Sequence, residues 1–280
     1  NKRWENKMSA PLKVGLPGFG GRMGQMIGTL ICEDSLFEIV AATEAANSDL
    51  VGSDISCKLG FPSKGVEISD SPHVLGENSD VIIDFTQPEA TMAHLQIALE
   101  TNTPMVIGTT GLNEAQEKLI SNVGKKIPII YCANTSIGIT LLLQQARQIA
   151  SKLDNSWDIE VLETHHNKKV DAPSGTALAL GRALAQGRSV SLSDVRDGVR
   201  DGNTGPRKQG NIGFSVLRGG DVAGEHSVIF FGKDERIELV HKANDRVIFA
   251  RGALKAAQFI ATKLNQTELH GYFTMDDVLV

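Results

Sequence analysis

Residues 165–176, His-His-Asn-Lys-Lys-Val-Asp-Ala-Pro-Ser-Gly-Thr, gather two imidazoles, two ammonium groups and a carboxylate into seven positions and then open into a helix. Histidine titrates near neutral pH, so His165 and His166 can give or take a proton there. Lys169 can neutralise a carboxylate or, if desolvated, serve as an acid itself. Backbone amides at the start of the helix, around Ser174, Gly175 and Thr176, would point at the same anion. Together these groups describe a pocket for a small anionic substrate with a proton donor at hand. Either His165 or Lys169 can be that donor, and residue type alone does not choose between them. In an extended strand neighbouring side chains face opposite ways, so a bend near Asn167 is needed to bring both histidines to one ligand. Taken alone, the stretch also reads as a basic surface turn before an ordinary helix.

A second constellation lies near the start of the chain. Gly18-Phe19-Gly20-Gly21-Arg22-Met23-Gly24 follows a short strand, Lys13 to Pro17, and runs into a helix, Met23 to Cys32. The next strand, Phe37 to Thr43, ends at Glu44. Gly18 permits a tight turn, Gly20 lets the backbone approach a pyrophosphate, and Glu44 can accept hydrogen bonds from a ribose. The spacing carries one residue more than G-x-G-x-x-G before its last glycine. Strand, glycines, helix, strand and acid in that order point to dinucleotide binding. Gly108-Thr109-Thr110 and Ala133-Asn134-Thr135-Ser136 follow later strands, where each either caps a helix or reaches the nicotinamide end of the nucleotide.

The elements that must position these groups fall into two styles. Up to about residue 135, strands and helices alternate: Asp80 to Phe85, a helix over Glu89 to Thr101, Met105 to Ile107, a helix over Glu114 to Val123, then Ile127 to Tyr131. Nearly unbroken apolar strands alternating with helices predict a doubly wound parallel sheet. Thereafter come a long helix, Ile137 to Leu153, a half-buried strand, Trp157 to His165, and a helix, Ser174 to Ala185. A polar, loop-like stretch over Gly187 to Gly213 precedes three strands, Gly213 to Leu217, His226 to Phe231 and Arg236 to His241. Strands without intervening helices predict an antiparallel or mixed sheet in a second, α+β domain. A last helix, Val247 to Leu264, returns to the first domain.

Composition narrows the function. The 280 residues suffice for two modest domains or one large α/β domain. A net charge of −5 excludes a nucleic-acid backbone as partner, so positive charge for an anionic substrate must be local. No apolar run approaches a membrane span. Cys32, Cys57 and Cys132 are scattered, without CxxC spacing, which suits a reducing cytoplasm. No His or Cys beyond the 165–166 pair lies close in sequence, and H-E-x-x-H is missing, so no metal is expected. The polar segment 1–10, with Met8 inside it, reads as an appendage before the natural start or as a frayed extension, and it lacks the apolar length of a signal peptide.

Several segments in order carry a resemblance: Gly18 to Gly24, Asp84-Phe-Thr-Gln-Pro88, Val106-Ile-Gly-Thr-Thr-Gly111, Ala133-Asn-Thr-Ser136, Glu163 to Thr176 and Gly220-Asp-Val-Ala-Gly-Glu-His226. Over essentially all of residues 13–280 the chain resembles the bacterial dihydrodipicolinate (4-hydroxy-tetrahydrodipicolinate) reductases. The resemblance implies a cytoplasmic homotetramer that reduces a cyclic dicarboxylate with NADH or NADPH during diaminopimelate and lysine synthesis. It implies a dinucleotide-binding domain of residues 1–136 plus 246–280 and a substrate-binding domain of residues 137–245 whose mixed sheet builds the tetramer. His165 would be the catalytic proton donor and Lys169 the second catalytic group, with His166, Gly175 and Thr176 holding substrate. The residues Gly18, Phe19, Gly20, Gly21, Arg22 and Met23, with Glu44, would line the cofactor. So would Gly108, Thr109 and Thr110, and Cys132, Ala133, Asn134 and Thr135. Ala45 stands where many relatives carry an arginine able to meet the 2′-phosphate of NADPH, and Thr135 where many carry an aromatic residue. With Ala45, and with Glu44 repelling the extra phosphate, NADH should serve at least as well as NADPH.

Two other readings use the same residues. A non-catalytic dinucleotide sensor would account for the glycine loop and Glu44 but leave residues 165–176 without a task. A semialdehyde dehydrogenase would need a nucleophilic cysteine, and only Cys132 falls near the expected crevice.

Overall fold

In a computed structural model, residues 10–198, 200–265 and 270–279 are described. The polar start, residues 1–9, lies outside them. The described residues form two compact units, divided between residues 135 and 136 and between residues 248 and 249, the first and last stretches making up one unit.

The first unit begins with β1 (Leu12–Pro17), α1 (Arg22–Glu33), β2 (Phe37–Thr43), α2 (Ser56–Leu59), β3 (Ile68–Ser69) and α3 (His73–Asn78). It continues with β4 (Val81–Asp84), α4 (Pro88–Thr101), β5 (Met105–Ile107), α5 (Glu114–Gly124) and β6 (Pro128–Tyr131). Every residue of β4 and β5 is buried, as a parallel strand covered on both faces must be. Ile82, Met105, Ile107 and Ile129 face Leu75, Leu95, Ala98, Ile120 and Val123 of α3, α4 and α5 in one apolar cluster. Pro88 stands at the first turn of α4, where its missing N–H costs nothing. Asn113 and Gln116 close a reciprocal capping box at α5.

The second unit contains α6 (Ile137–Ala150), β7 (Asp158–His165), α7 (Gly175–Gly187), α8 (Leu192–Val195), β8 (Arg196–Asp197), β9 (Ile212–Arg218), β10 (Gly224–Phe231) and β11 (Arg236–Ala243). The loop expected over 187–213 is therefore interrupted by a helical turn and a two-residue strand that pairs with β9. The chain then enters α9 (Val247–Asn265), part of the first unit from Phe249 onward, and ends with β12 (Gly271–Phe273) and α10 (Met275–Val278).

The first unit's sheet has the order β12-β6-β5-β4-β1-β2-β3, all parallel. From β1 the chain goes to β2 on one side, and β4 pairs on the other, so the topology switches direction at β1. Ligands of such sheets bind beyond the strand ends at that point. The second sheet, β11-β10-β7-β9-β8, is mixed: β10 runs antiparallel to β7 and β11, while β9 is parallel to β7 and β8. One face packs Ile159, Val161, Phe214, Val228 and Phe230 against α6 and α7. The other carries Leu217 and Val240, each about half exposed.

Candidate active site

A cavity of about 950 Å³ opens in the first unit beyond the ends of β1, β2 and β4. Gly18 and Gly20 to Gly24 form one wall, Glu44, Ala45 and Ser48 another, and Phe85 to Gln87 a third. The loop geometry explains its glycines. Gly18 adopts φ 63°, and a Cβ there would come within 2.7 Å of Thr86. At Gly24 a Cβ would lie 2.5 Å from the Gly18 carbonyl oxygen, so α1 can pack on the loop only without a side chain there. No side chain caps α1 at Gly21, which leaves the first turn of that helix to other acceptors. Glu44 reaches from the end of β2 so that its Oε1 accepts the Gly20 N–H at 2.5 Å. An uncapped helix start, a backbone stripped of Cβ atoms and a carboxylate across the crevice fit a dinucleotide.

Of the residues expected at the cofactor, Gly18, Gly20, Gly21, Arg22, Met23 and Glu44 line this cavity. Phe19 does not: its ring is fully buried, packed toward Gly28, so only its backbone belongs to the loop. Thr109 is buried, and its hydroxyl meets Thr91 at 2.7 Å and Asp84 at 3.3 Å. Gly108 lies under the Phe85 ring, and Thr110 is exposed. Thr135 is also buried and donates its hydroxyl to the Phe249 carbonyl at 2.7 Å, which ties the end of the β6 loop to α9. Ala133 is exposed and Asn134 half-buried; the Asn134 carbonyl accepts the Cys132 thiol at 2.8 Å.

One buried centre was not legible as such in the sequence. Asp84, at the end of β4, accepts the Thr86 amide at 2.8 Å and hydroxyl at 2.6 Å, and meets His94 Nδ1 at 2.7 Å through its other oxygen. With Thr91 and Thr109 also in reach, a fully buried carboxylate is satisfied from the loops after β4 and β5 and from α4. Asp84 thereby sets the place of Thr86, while Gln87, Ala90 and His94 complete the cavity wall.

In the second unit, β7 ends at His165, and the Lys169 amide donates to the His166 carbonyl at 3.2 Å. That turn bends the chain at Asn167 and Lys168, just past both histidines. The segment is held from across the way: the His166 amide donates to Val222 O, the Asn167 amide to Gly220 O, and the Gly219 amide to His165 O. Lys169 pairs with the exposed Asp171 at 2.7 Å. His166 Nδ1 accepts the Lys168 amide at 3.2 Å, and Arg246 approaches its Nε2 at 3.5 Å. Desolvation and the cations around it, Arg246 first, hold His166 below the usual imidazole range. Ser174 caps α7 by accepting the Ala177 amide at 3.1 Å, which leaves Gly175, exposed, and Thr176, half-buried, at the first turn.

Around His165 lie groups that sequence reading left without a role. Glu163 Oε2 meets His165 Nδ1 at 2.5 Å, and Arg218 grips both Glu163 oxygens at 2.8 and 2.9 Å. His226, buried on β10, sets its ring edge-on to His165 at 5.2 Å and shares a 3.0 Å hydrogen bond with the Ser174 hydroxyl. Glu163 is only two residues from His165, but Arg218 lies 55 residues from Glu163 and His226 52 from Ser174, which hides those two from any local pattern. Their signals in the sequence were that Glu163 opens the Glu163–Thr176 segment and His226 closes the Gly220–His226 one.

Residues 12–135 match the family description "Dihydrodipicolinate reductase, N-terminus", and residues 138–279 match "Dihydrodipicolinate reductase, C-terminus". The chain belongs to the dihydrodipicolinate reductase family. It is 45% identical over 268 residues to the 4-hydroxy-tetrahydrodipicolinate reductase of Rhodopseudomonas palustris (strain TIE-1), covering 96% of this chain and 97% of the relative. The enzyme of the same name from Bradyrhizobium diazoefficiens is 44% identical over 96% of this chain and 97% of its own. Among solved structures, a dipicolinate-bound dihydrodipicolinate reductase from Paenisporosarcina sp. TG-14 shares the fold with a TM-score of 0.74, at 21% identity, over 96% of this chain and 100% of that one. A probable dehydrogenase from Thermotoga maritima shares it more distantly, with a TM-score of 0.61 at 12% identity over 95% and 92%. The doubly wound parallel sheet and mixed second sheet expected from the sequence are thus those of dihydrodipicolinate reductases. The chain is an NAD(P)H-dependent oxidoreductase of lysine and diaminopimelate biosynthesis.

Membership of a reductase family leaves the sensor reading without support. The semialdehyde dehydrogenase reading also fails on Cys132, whose thiol burial pushes up and away from the nucleophilic thiolate. Among the described residues, no group of three or more His, Cys, Asp or Glu is arranged to hold a metal ion, and no helix is long and apolar enough to cross a membrane.

Proposed function

We propose that the chain reduces 4-hydroxy-tetrahydrodipicolinate to tetrahydrodipicolinate with His165 as the proton donor and Lys169 as the second catalytic group. The observation that carries this reading is the set of hydrogen bonds at His165. A carboxylate only accepts, so the 2.5 Å contact with Glu163 places a proton on Nδ1 and leaves Nε2 to exchange the other. Gly18, Gly20, Gly21, Arg22, Met23 and Glu44 would hold a reduced nicotinamide nucleotide, which would supply the hydride when bound. Once water has left the substrate ring, one unsaturated carbon takes that hydride and its neighbour takes a proton from His165 Nε2. Lys169 is free to turn from Asp171 to a substrate carboxylate, because an exposed ion pair is worth little. His166, the Gly175 amide and Thr176 hold the substrate carboxylates at the start of α7. The loops Gly108 to Thr110 and Cys132 to Thr135 contribute backbone to the nicotinamide end, their buried threonine hydroxyls being spent within the protein.

NADH serves at least as well as NADPH in this reading. Ala45 lines the cavity without a charge, and Glu44 presents a carboxylate that suits a ribose and repels a phosphate. The exposed face of the mixed sheet, with Leu217 and Val240, builds a homotetramer, as burial of such a face requires a partner. Three free cysteines suit a cytoplasmic enzyme.

His165→Gln and Lys169→Met test the assignment. Each should lower kcat by roughly two to four orders of magnitude with the dissociation constant of NADH unchanged. Near-native turnover in both would overturn it.

A further inference from the structure

Glu163 is 1% exposed and sits two residues before His165 on β7, so both side chains leave the strand on one face. Four donors converge on its carboxylate: His165 Nδ1 and Arg218 on Oε2, and Arg218 with the Ser174 amide, at 2.9 Å, on Oε1. Burial alone would push the Glu163 carboxyl up. The hydrogen bonds from Arg218, His165 and the Ser174 amide outweigh it and hold the group below the ordinary carboxylate range. Arg218 comes from β9, where it stands directly opposite His165 in the parallel register. Its two-pronged grip, with a further bond to the Asp171 carbonyl at 2.7 Å, leaves the carboxylate one orientation. On the far side of the imidazole, a Cβ at Gly224 would come within 3.1 Å of Nε2. The ring is therefore fixed at Nδ1 and left uncrowded at Nε2.

We propose that Glu163, locked by Arg218, is the positioning residue of the proton donor: it fixes the His165 tautomer and ring orientation and balances the imidazolium between turnovers. This rests on His165 being the donor. The carboxylate's other oxygen holds the Ser174 amide, so the same residue also sets where α7 starts. Proton donor and substrate-facing helix start are thereby referred to one buried charge. Orienting partners of this kind are worth about 10- to 100-fold in activity, and more when the wrong tautomer results.

Glu163→Gln keeps the shape but replaces an acceptor-only group with one that also donates. Its kcat should fall about 10- to 100-fold with the KM for NADH unchanged, and imidazole ¹⁵N NMR should show His165 passing from one tautomer, protonated at Nδ1, to a mixture. In a His165→Gln background the same substitution should change kcat less than about 2-fold. An equal loss in both backgrounds overturns the proposal, since Glu163 would then act through α7 alone; so does an unchanged tautomer. If Glu163→Gln does not fold, Arg218→Lys, which keeps the cation but not the fork, goes through the same cycle with the same criteria. The His165→Gln single variant separates this idea from the one beneath it, because near-native turnover there removes His165 as donor whatever Glu163 does.

Discussion

Gly175 offers the sharpest separation of fold from function. It is the first residue of α7, and its backbone lies outside the left-handed region. A Cβ built on it meets no heavy atom within 4 Å. Among the described residues nothing therefore requires glycine there, in contrast to Gly24, where a Cβ would lie within 2.8 Å of three backbone atoms. Gly175→Ala should stabilise the fold, because alanine loses less backbone entropy in a helix, by about 0.5–1 kcal/mol. That corresponds to a rise of about 2–4 °C in Tm for a unit of this size. If a substrate carboxylate approaches the Gly175 amide, the added methyl stands in its path. Losing one hydrogen bond to a charged group costs about 1.5–3 kcal/mol, or about 10- to 150-fold in kcat/KM. Scanning calorimetry and NADH oxidation at varied dicarboxylate concentration read the two effects separately. A variant that is more stable and keeps its KM for the dicarboxylate within 2-fold would refute the claim that substrate binds at the start of α7.

Ala45→Arg should add a charge-assisted contact to a 2′-phosphate and tighten NADPH by about 10-fold or more relative to NADH, read as dissociation constants by fluorescence titration; an unchanged ratio would place the discriminating contact elsewhere, Arg22 first. Burial, with His165 beside it, pushes His226 down to about 4. The unfolded chain takes up that proton near 6.5 and the native one only near 4, so stability should fall as pH drops through this window, by up to about 3 kcal/mol. His226→Gln should flatten the acid slope of denaturant-derived stability between pH 6.5 and 4, and an identical slope would show that the loss comes from other groups.

Much of the nucleotide half was legible because its signals are local. The apolar runs of β4 and β5 announce strands buried on both faces, and the glycines after β1 together with Glu44 after β2 lie within 27 residues of one another. Short pieces escaped: β12 is three residues and exists because it pairs with β6, while α8 and β8 break a stretch whose polarity reads as loop. Side-chain fate escaped too. Thr109 and Thr135 have the residue type of ligand contacts, yet burial commits their hydroxyls to Asp84 and to the Phe249 carbonyl.

Chain order and residue type alone determined the class of sheet, the glycine loop and the crowding of imidazole and ammonium groups before α7, since helix and strand periodicities and turn chemistry act over a few residues. Only tertiary structure decided which nitrogen of His165 holds its proton and what keeps it there. Glu163 is a buried charge whose partners, Arg218 and the Ser174 amide, come from distant strands and turns, and the cost of leaving it unpaired is what draws them together.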